Sequence, residues 1–440
     1  MLKRLLAFLF FLILLSACQN SEEGPNPAQK SETSPADSNS VTAEVNLEPV
    51  NVLVGLSVHW LGEGEIDQYF IDSVKEVYPH ITVDIIDISA PENNTVEKLV
   101  ISGNVPDIFM TASPIINRFT GFGLEYNMEP LIEQHQFDLS RLNTVAVESV
   151  KTAAQTDHLI GLPWTMHFSA LYYNKGIFDL FGVEYPDDGL TWNEAYDLAV
   201  RLTRKEGDVQ YRGLEPDIPP RLAPILSIEV FDDSGKANVT TDEWQKVFEM
   251  AKRFYDIPGN ENYAFTTAAW NQFAVDQTLA MYPTLNYLPN LKDVEGLDWD
   301  IAQYPSFEER PNVGMMVDMW ILHITSQSKN KDAAFKVIET ILSDEVQLEL
   351  SKNARFPIVQ SDEIREVFGT NMPHLAGKHL DAAFMSEPAP ALPVTEFDAV
   401  ARAELEKAMA KVISEGMDIN TALRQAEQII NQEAEAQNRS

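Results

Sequence analysis

Residues 51–87 read NVLVGLSVHWLGEGEIDQYFIDSVKEVYPHITVDIID, and the fold is decided here. Asn51 to Trp60 is an apolar, β-rich run of the kind that becomes a buried strand. After a loop over Leu61–Ile66, the segment Glu65 to Tyr78 carries Ile66, Tyr69, Phe70, Val74 and Val77 at helical spacing on one face, until Pro79 stops it. Ile81 to Ile88 is β-branched again, a second strand. A helix over Val96–Ser102 then leads through Gly103-Asn104 into VPDIFMT, a third strand. Strand and helix alternating in this way predict an α/β fold with a mostly parallel sheet flanked by helices. In such sheets a ligand sits beyond the carboxyl ends of the strands. That rule makes Trp60, Glu63, Thr111, Ser113 and Trp164 positional candidates, since each follows an apolar run.

Farther along, Ile160 to Tyr173 reads as extended, and Lys175 to Phe181 as a short helix ended by Gly182. Thr191 with Glu194 is a capping box, followed by the apolar stripe Ala195, Leu198, Ala199 and Leu202. A second box, Thr240 with Glu243, opens another helix. Before it, DDSGKANV (Asp232–Val239) is a turn; its Asp232, Asp233 and Asn238 lack the EF-hand spacing that calcium requires. Phe273–Tyr287 reads as a helix-to-strand unit and Val313–Ile324 as a strand. Helices follow at Lys331–Leu342, Asp344–Lys352, Glu396–Ser414 and Asp418–Glu435. Trp192 and Trp244 fall inside helices, where packing is the expected role.

The amino terminus addresses location. MLKRLLAFLFFLILLSAC places Lys3 and Arg4 before an apolar run, Leu5–Leu15, too short for a membrane span of about 20 residues and suited to a signal sequence. The ending Leu15-Ser16-Ala17-Cys18 resembles a bacterial lipobox, which implies removal of residues 1–17 and acylation of Cys18, the only cysteine. The alternative is an ordinary secretory signal with an incidental cysteine. Residues 18–46 are rich in Ser, Pro, Glu and Asn and cannot recover the entropy of ordering, so they are expected to be a disordered tether. The folded remainder, roughly 390 residues, suits two domains. A formal charge of −35, spread along the chain without a block of Lys or Arg, argues against nucleic acid and anionic membrane surfaces as partners.

Enzyme signatures are absent from the sequence. There is no Gly-x-Ser-x-Gly elbow and no His-Glu-x-x-His, and His374 and His379 are five apart rather than four. Gly62-Glu63-Gly64 and Gly121-Phe122-Gly123 lack the context of a phosphate-binding loop. We expect no catalysis, no cofactor and no metal.

Several blocks resemble, in order, the family 1 extracellular solute-binding proteins, the sugar-binding lipoproteins of ABC importers. They are KLVISGNVPDIFMTASP (98–114), LIGLPWTMHFSALYYNKGIFDLFGVEYPDDGLTWNEAYDLAVRLT (159–203), FAVDQTLAMY (273–282) and SKNKDAAFKVIETILSDEVQLELSKNARFPI (328–358). The resemblance implies a two-lobed, type II periplasmic-binding-protein-like fold, with a hinge of two or three crossing segments and the ligand between the lobes. Lobe 1 would comprise 47–167 and 314–354; lobe 2 would comprise 168–313 and 355–440. Crossings are expected within Leu159–Tyr173, near Leu162-Pro163-Trp164, and between Pro305 and Val317. It also implies a monomer held by its lipid on the extracytoplasmic face of the cell membrane, handing a carbohydrate, expected to be an oligosaccharide, to permease subunits. A peptide, a polyol or an extracellular glycan-active enzyme are the alternatives.

A sugar ring offers an apolar C–H face and an edge of hydroxyls, so binding it takes a flat aromatic ring beside donors and acceptors. Trp60, Trp164, Tyr287 and Trp320 fall at strand ends or crossings, with Glu63, Asp107, Glu215, Asn286 and Asp318 beside them. Tyr287 and Glu215 are included because they resemble cleft positions of the family. Alternation along VDMWILHI puts Asp318 and Trp320 on one face. Trp60 and Trp164 could equally be core residues, and Asp107 a cap for local backbone.

Overall fold

The computed structural model describes residues 48–56, 61, 62, 64–88, 95–262 and 267–437. The signal, the tether, Cys18, Trp60 and Glu63 lie outside them.

The opening stretch folds as its periodicity dictates. β1 (Val50–Leu56) and β2 (Ile81–Asp87) pair in parallel, and β3 (Ile108–Ala112) adds in parallel on the other side of β1. The intervening helix buries Tyr69, Phe70 and Val74 but leaves Val77 56% exposed. Its turn over Asp67–Asp72 is π-helical. The extra residue in that turn shifts the phase of the apolar face and carries Val77 off the core.

The next strands are β4 (Leu162–Met166), β5 (Ser169–Asn174), β6 (Arg204–Glu206), β7 (Val209–Leu214), β8 (Leu279–Leu285) and β9 (Trp299–Gln303). They are followed by β10 (Val313–Met316), β11 (Met319–Ile324), β12 (Phe356–Pro357) and β13 (Glu387–Ala389). One sheet has the order β12-β4-β11-β3-β1-β2, a second β6-β7-β8-β5-β9, and β10 pairs with β13. Both large sheets are mixed rather than mostly parallel. β11 runs antiparallel to β3 and β4, and β5 antiparallel to β8 and β9. The cause is non-local: β11 comes from far along the chain and enters between β3 and β4, so local βαβ alternation does not set its direction.

The predicted single strand Val313–Ile324 is two strands, broken at Val317-Asp318. β10 belongs to the small sheet and β11 to the first, so the break is a passage between them. Another passage is His167-Phe168, between β4 and β5; Leu162-Pro163-Trp164 lies before it, inside β4. β12 pairs with β4, and Ile358, Val359 and Ile364 pack in the first core, so the chain stays on the first sheet past residue 354.

The second sheet buries both faces, and strict alternation sorts its side chains. On β5, Leu171 and Tyr173 join a core with the helices Trp192–Leu202, Asp242–Tyr255 and Asp398–Ser414, whereas Ala170 and Tyr172 join a smaller cluster with Phe273, Leu288 and Phe368. Gly213 is required where β7 crosses the helix Trp192–Leu202: a Cβ there would stand 2.2 Å from the Ala199 carbonyl oxygen. The capping box at Thr191–Glu194 is present in both directions. The second cap is displaced by one residue: Thr241 accepts from the Trp244 amide, while Thr240 donates its hydroxyl to Glu427. Trp192 and Trp244 are core residues. No helix of the described residues is long and apolar enough to cross a membrane.

Candidate functional site

Topology brings particular strand ends together. In the first sheet the carboxyl end of β3, the carboxyl end of β4 and the amino end of β11 share one edge, as the pairs Ala112–Trp320 and Met166–Met319 show. In the second sheet Leu285 of β8 lies beside Ser169 of β5, and Gln303 of β9 beside Ala170, so Asn286, Tyr287 and Tyr304 follow on one edge. β7 runs parallel to β8, which puts Glu215 at the same edge. Because Met166 and Ser169 are joined by only His167-Phe168, the two edges adjoin at the hinge.

Tyr287 is a half-buried aromatic side chain at the edge of the second sheet. Its ring stacks on Trp270 at 5.0 Å and 28°, and the Tyr282 ring lies 6.2 Å away at 24°. The turn that presents it is held from three directions: the Tyr287 backbone amide donates to the Tyr172 hydroxyl (2.9 Å), the Asn286 side-chain Nδ2 to the Ala354 carbonyl (3.0 Å), and the Leu288 backbone amide to Asn286 Oδ1 (3.1 Å). Asn286 is therefore a positioning residue for Tyr287. From the first sheet come Trp320 and Asp318, both half-buried, flanking the buried Met319 as alternation requires. The Asp318 carbonyl accepts from the His167 amide at 2.7 Å and ties the two passages together. Its carboxylate has no hydrogen-bond partner among the described residues and stands near His167, whose imidazole burial holds below the usual histidine pKa. Asp318 opposes that shift, while Arg355 and Arg221 reinforce it.

Two arginines that sequence reasoning missed border this region. Arg355 pairs with Glu65 at 2.8 Å, and Glu65 also accepts from the Gly62 amide and the Tyr69 hydroxyl. Arg221 donates to Met315 Sδ at 3.0 Å and lies 3.4 Å from Asp217, whose other oxygen accepts from Tyr304. Trp270 was missed as well; nothing in its surroundings, TTAAWNQF, marks it apart from a core tryptophan.

The remaining candidates sit elsewhere or are occupied by the fold. Asp107 is at the amino end of β3, about 20 Å along the strand from Ser113 at 3.3 Å per residue. It accepts from the Leu53 amide (3.0 Å) and the Ser328 hydroxyl (2.6 Å), the backbone-capping alternative. Ser113 is at the right end but buried, and its hydroxyl accepts from the Met319 amide at 3.2 Å. Trp164 faces inward from β4 and meets Phe70 edge-on at 5.2 Å. Glu215 is fully buried, bonded to Arg212 at 2.5 Å and to the Tyr255 hydroxyl at 2.7 Å.

Thr111 likewise turns into the core, donating its hydroxyl to His323 Nε2 at 2.8 Å, because His323 Nδ1 gives its proton to the Ile160 carbonyl at 2.9 Å. Burial pushes this imidazole down from 6.5 to about 4, against the raising effect of the Ile160 bond. The folded state resists protonation, so between pH 6.5 and about 4 the unfolded chain binds the extra proton. The stability contribution is complete above the unfolded pKa and declines by about 3 kcal/mol as pH falls through that window. Urea midpoints at pH 7 and pH 4 are expected to show a smaller acid loss in His323→Gln than in the wild type; equal losses would exclude His323 as the source.

The sequence profile of the bacterial extracellular solute-binding proteins matches residues 62–348. The chain belongs to this family. Solved structures share the type II two-lobed architecture of this solute-binding protein. An ABC substrate-binding protein from Listeria monocytogenes in complex with cycloalternan superposes with a TM-score of 0.70 at 18% identity, over 88% of this chain and 99% of the other. The sugar-binding protein MalE from Xanthomonas citri gives 0.70 at 20% identity, over 87% and 97%. A sugar transporter protein from Rhizobium etli in an open conformation gives 0.71 at 17%, over 87% and 99%. No curated protein sequence matches the chain.

Proposed function

We propose that this protein captures a carbohydrate, expected to be an oligosaccharide, in the groove at the facing sheet edges and delivers it to the permease subunits of an ABC importer. The single observation that carries the reading is the cluster of Trp270, Tyr287 and Tyr282, with the Asp318 carboxylate, which has no hydrogen-bond partner among the described residues, near Trp320 on the other edge. Stacked rings present a flat apolar face to sugar C–H groups, and a carboxylate accepts hydroxyl protons at the ring's edge. The sugar-bound structures sharing the fold support the same class. We further propose that the protein works as a monomer anchored through acylated Cys18 on the extracytoplasmic face. Its lobes would be built as the resemblance implies, on 47–167 with 314–354 and on 168–313 with the C-terminal segment, except that residues 355–364 stay with the first lobe, and they would close because the ligand touches both. Of the sequence candidates, Tyr287, Asn286, Asp318 and Trp320 form the core of the proposed site, with Trp60 and Glu63 beyond the described residues. No step of chemistry is assigned.

Thermal unfolding with a panel of linear and cyclic gluco- and manno-oligosaccharides tests this. A true ligand at a hundred times its Kd adds about 2.7 kcal/mol of stability, a clear rise in Tm. Stabilisation by oligopeptides or polyols and by no oligosaccharide would overturn the carbohydrate assignment. Release of new reducing ends would point to an enzyme.

A further inference from the structure

The short helix Pro219–Leu222 carries Arg221, a residue outside the sequence candidates. Its guanidinium lies within electrostatic reach of the Tyr304, Tyr282 and Tyr287 hydroxyls on the second sheet, and of His167 at the passage between the sheets. Arg221 therefore stands among the residues of the proposed groove, and its side chain is 18% exposed. A guanidinium carries several N–H donors, and each one it buries needs an acceptor. Among the described residues its hydrogen bond goes to Met315 Sδ at 3.0 Å, and a thioether is a weak acceptor. Asp217 serves it as a counter-ion rather than an acceptor. The carboxylate stands 3.4 Å from Arg221 Nε without a hydrogen bond, and its oxygens accept from the Ile218 amide (2.8 Å) and the Tyr304 hydroxyl (3.1 Å). A neutral ion pair steadying this helical turn accounts for the charge of Arg221 but not for its donors.

We infer that Arg221 is a solute-contacting residue, donating to a hydroxyl oxygen of an uncharged sugar beside Tyr287. The inference rests on the carbohydrate reading and narrows it to sugars that carry no acid group at this position. The two edges then offer complementary chemistry. Arg221 gives hydrogen bonds from one, and Asp318, half-buried and without a hydrogen-bond partner among the described residues, takes them on the other. A hydroxyl is both donor and acceptor, so a polyhydroxylated ring answers both side chains. A carboxylate is the strongest partner an arginine can have, yet it fits this site worse. Asp217 already balances the charge of Arg221, and Glu65 balances that of Arg355 at 2.8 Å. Once Asp318 is added, these five side chains leave no surplus cation for a guest acid, and Asp318 repels it.

The test is calorimetric titration of the full mature protein with maltotriose, cellotriose or mannotriose, whichever stabilises it most. Arg221→Gln is expected to weaken that sugar by about ten-fold or more, the usual loss of a hydrogen bond to a charged group. Arg221→Lys, which keeps the charge beside Asp217 but loses the planar fork, serves if Arg221→Gln does not fold. Monodeoxy analogues of the same sugar then separate contact from architecture. At least one of them should bind the wild type about ten-fold more weakly and lose that penalty in the Arg221 variant, the coupling of two groups that touch. Oxidising a C6 hydroxyl of the sugar to a carboxylate should weaken it further in the wild type. Unchanged affinity in a folded variant would overturn the assignment. So would deoxy penalties that all persist in the variant, which is the mark of a structural role, or tighter binding of the oxidised sugar. Each of these outcomes leaves the carbohydrate reading standing. Failure of every oligosaccharide to bind would remove both.

Discussion

Tyr287→Ala is expected to weaken binding of the best-stabilising oligosaccharide by roughly 30-fold, the loss of about 2 kcal/mol typical of an aromatic anchor. The ring is half-buried, stacked on Trp270 and 6.2 Å from Tyr282, so truncation removes a member of that aromatic cluster. Its backbone is fixed independently through Tyr172, Asn286 and Ala354, and the turn should survive the loss of the side chain. Tyr287→Phe keeps the ring and should bind within a few-fold of the wild type. Calorimetric titration of both variants checks this. A Tyr287→Ala protein that binds normally would remove the stack from the site.

Arg212→Ala is expected to act on stability, costing about 3–5 kcal/mol, because it strips the cation from a buried pair and leaves a carboxylate facing the interior. Glu215 is fully buried, and the Arg212 guanidinium also donates to Gln272 Oε1 (2.7 Å) and to the Asn260 carbonyl (3.2 Å). The group staples the end of β7 to the segments that follow the helix Asp242–Tyr255. Denaturant unfolding should show the drop, while the folded fraction keeps its solute affinity. Weakened affinity with unchanged stability would instead return Glu215 to the groove, where the resemblance had put it.

These two residues also mark what the sequence discloses and what it withholds. Local periodicity was sufficient for β1, the helix after it, β2 and the Thr191 cap, since each depends on neighbours within a few positions. The rule that ligands gather beyond strand ends pointed to Ser113, which follows β3 at the edge where β3 and β4 end and β11 begins. It names an end of the sheet, however, and not a face. Ser113 and Thr111 reach the right end and then spend their hydroxyls on Met319 and His323. Trp164 points at Phe70 for the same reason: alternation offers two faces, and long-range packing chooses between them. Asp107 is misplaced because Pro-Asp can open a strand as readily as follow one. Arg221, Arg355 and Trp270 become visible only through contacts with residues distant in sequence. The antiparallel β11, inserted between β3 and β4 from far along the chain, was hidden for the same reason.

The central claim is that an oligosaccharide lies between the two sheet edges, and a crystal structure of the complex with the best-stabilising member of the panel tests it most directly. The expected result is one sugar ring face-on to Tyr287, a hydroxyl of the ligand within hydrogen-bond distance of the Asp318 carboxylate, and Trp320 in contact from the other side. A ligand seated away from all three residues would contradict it.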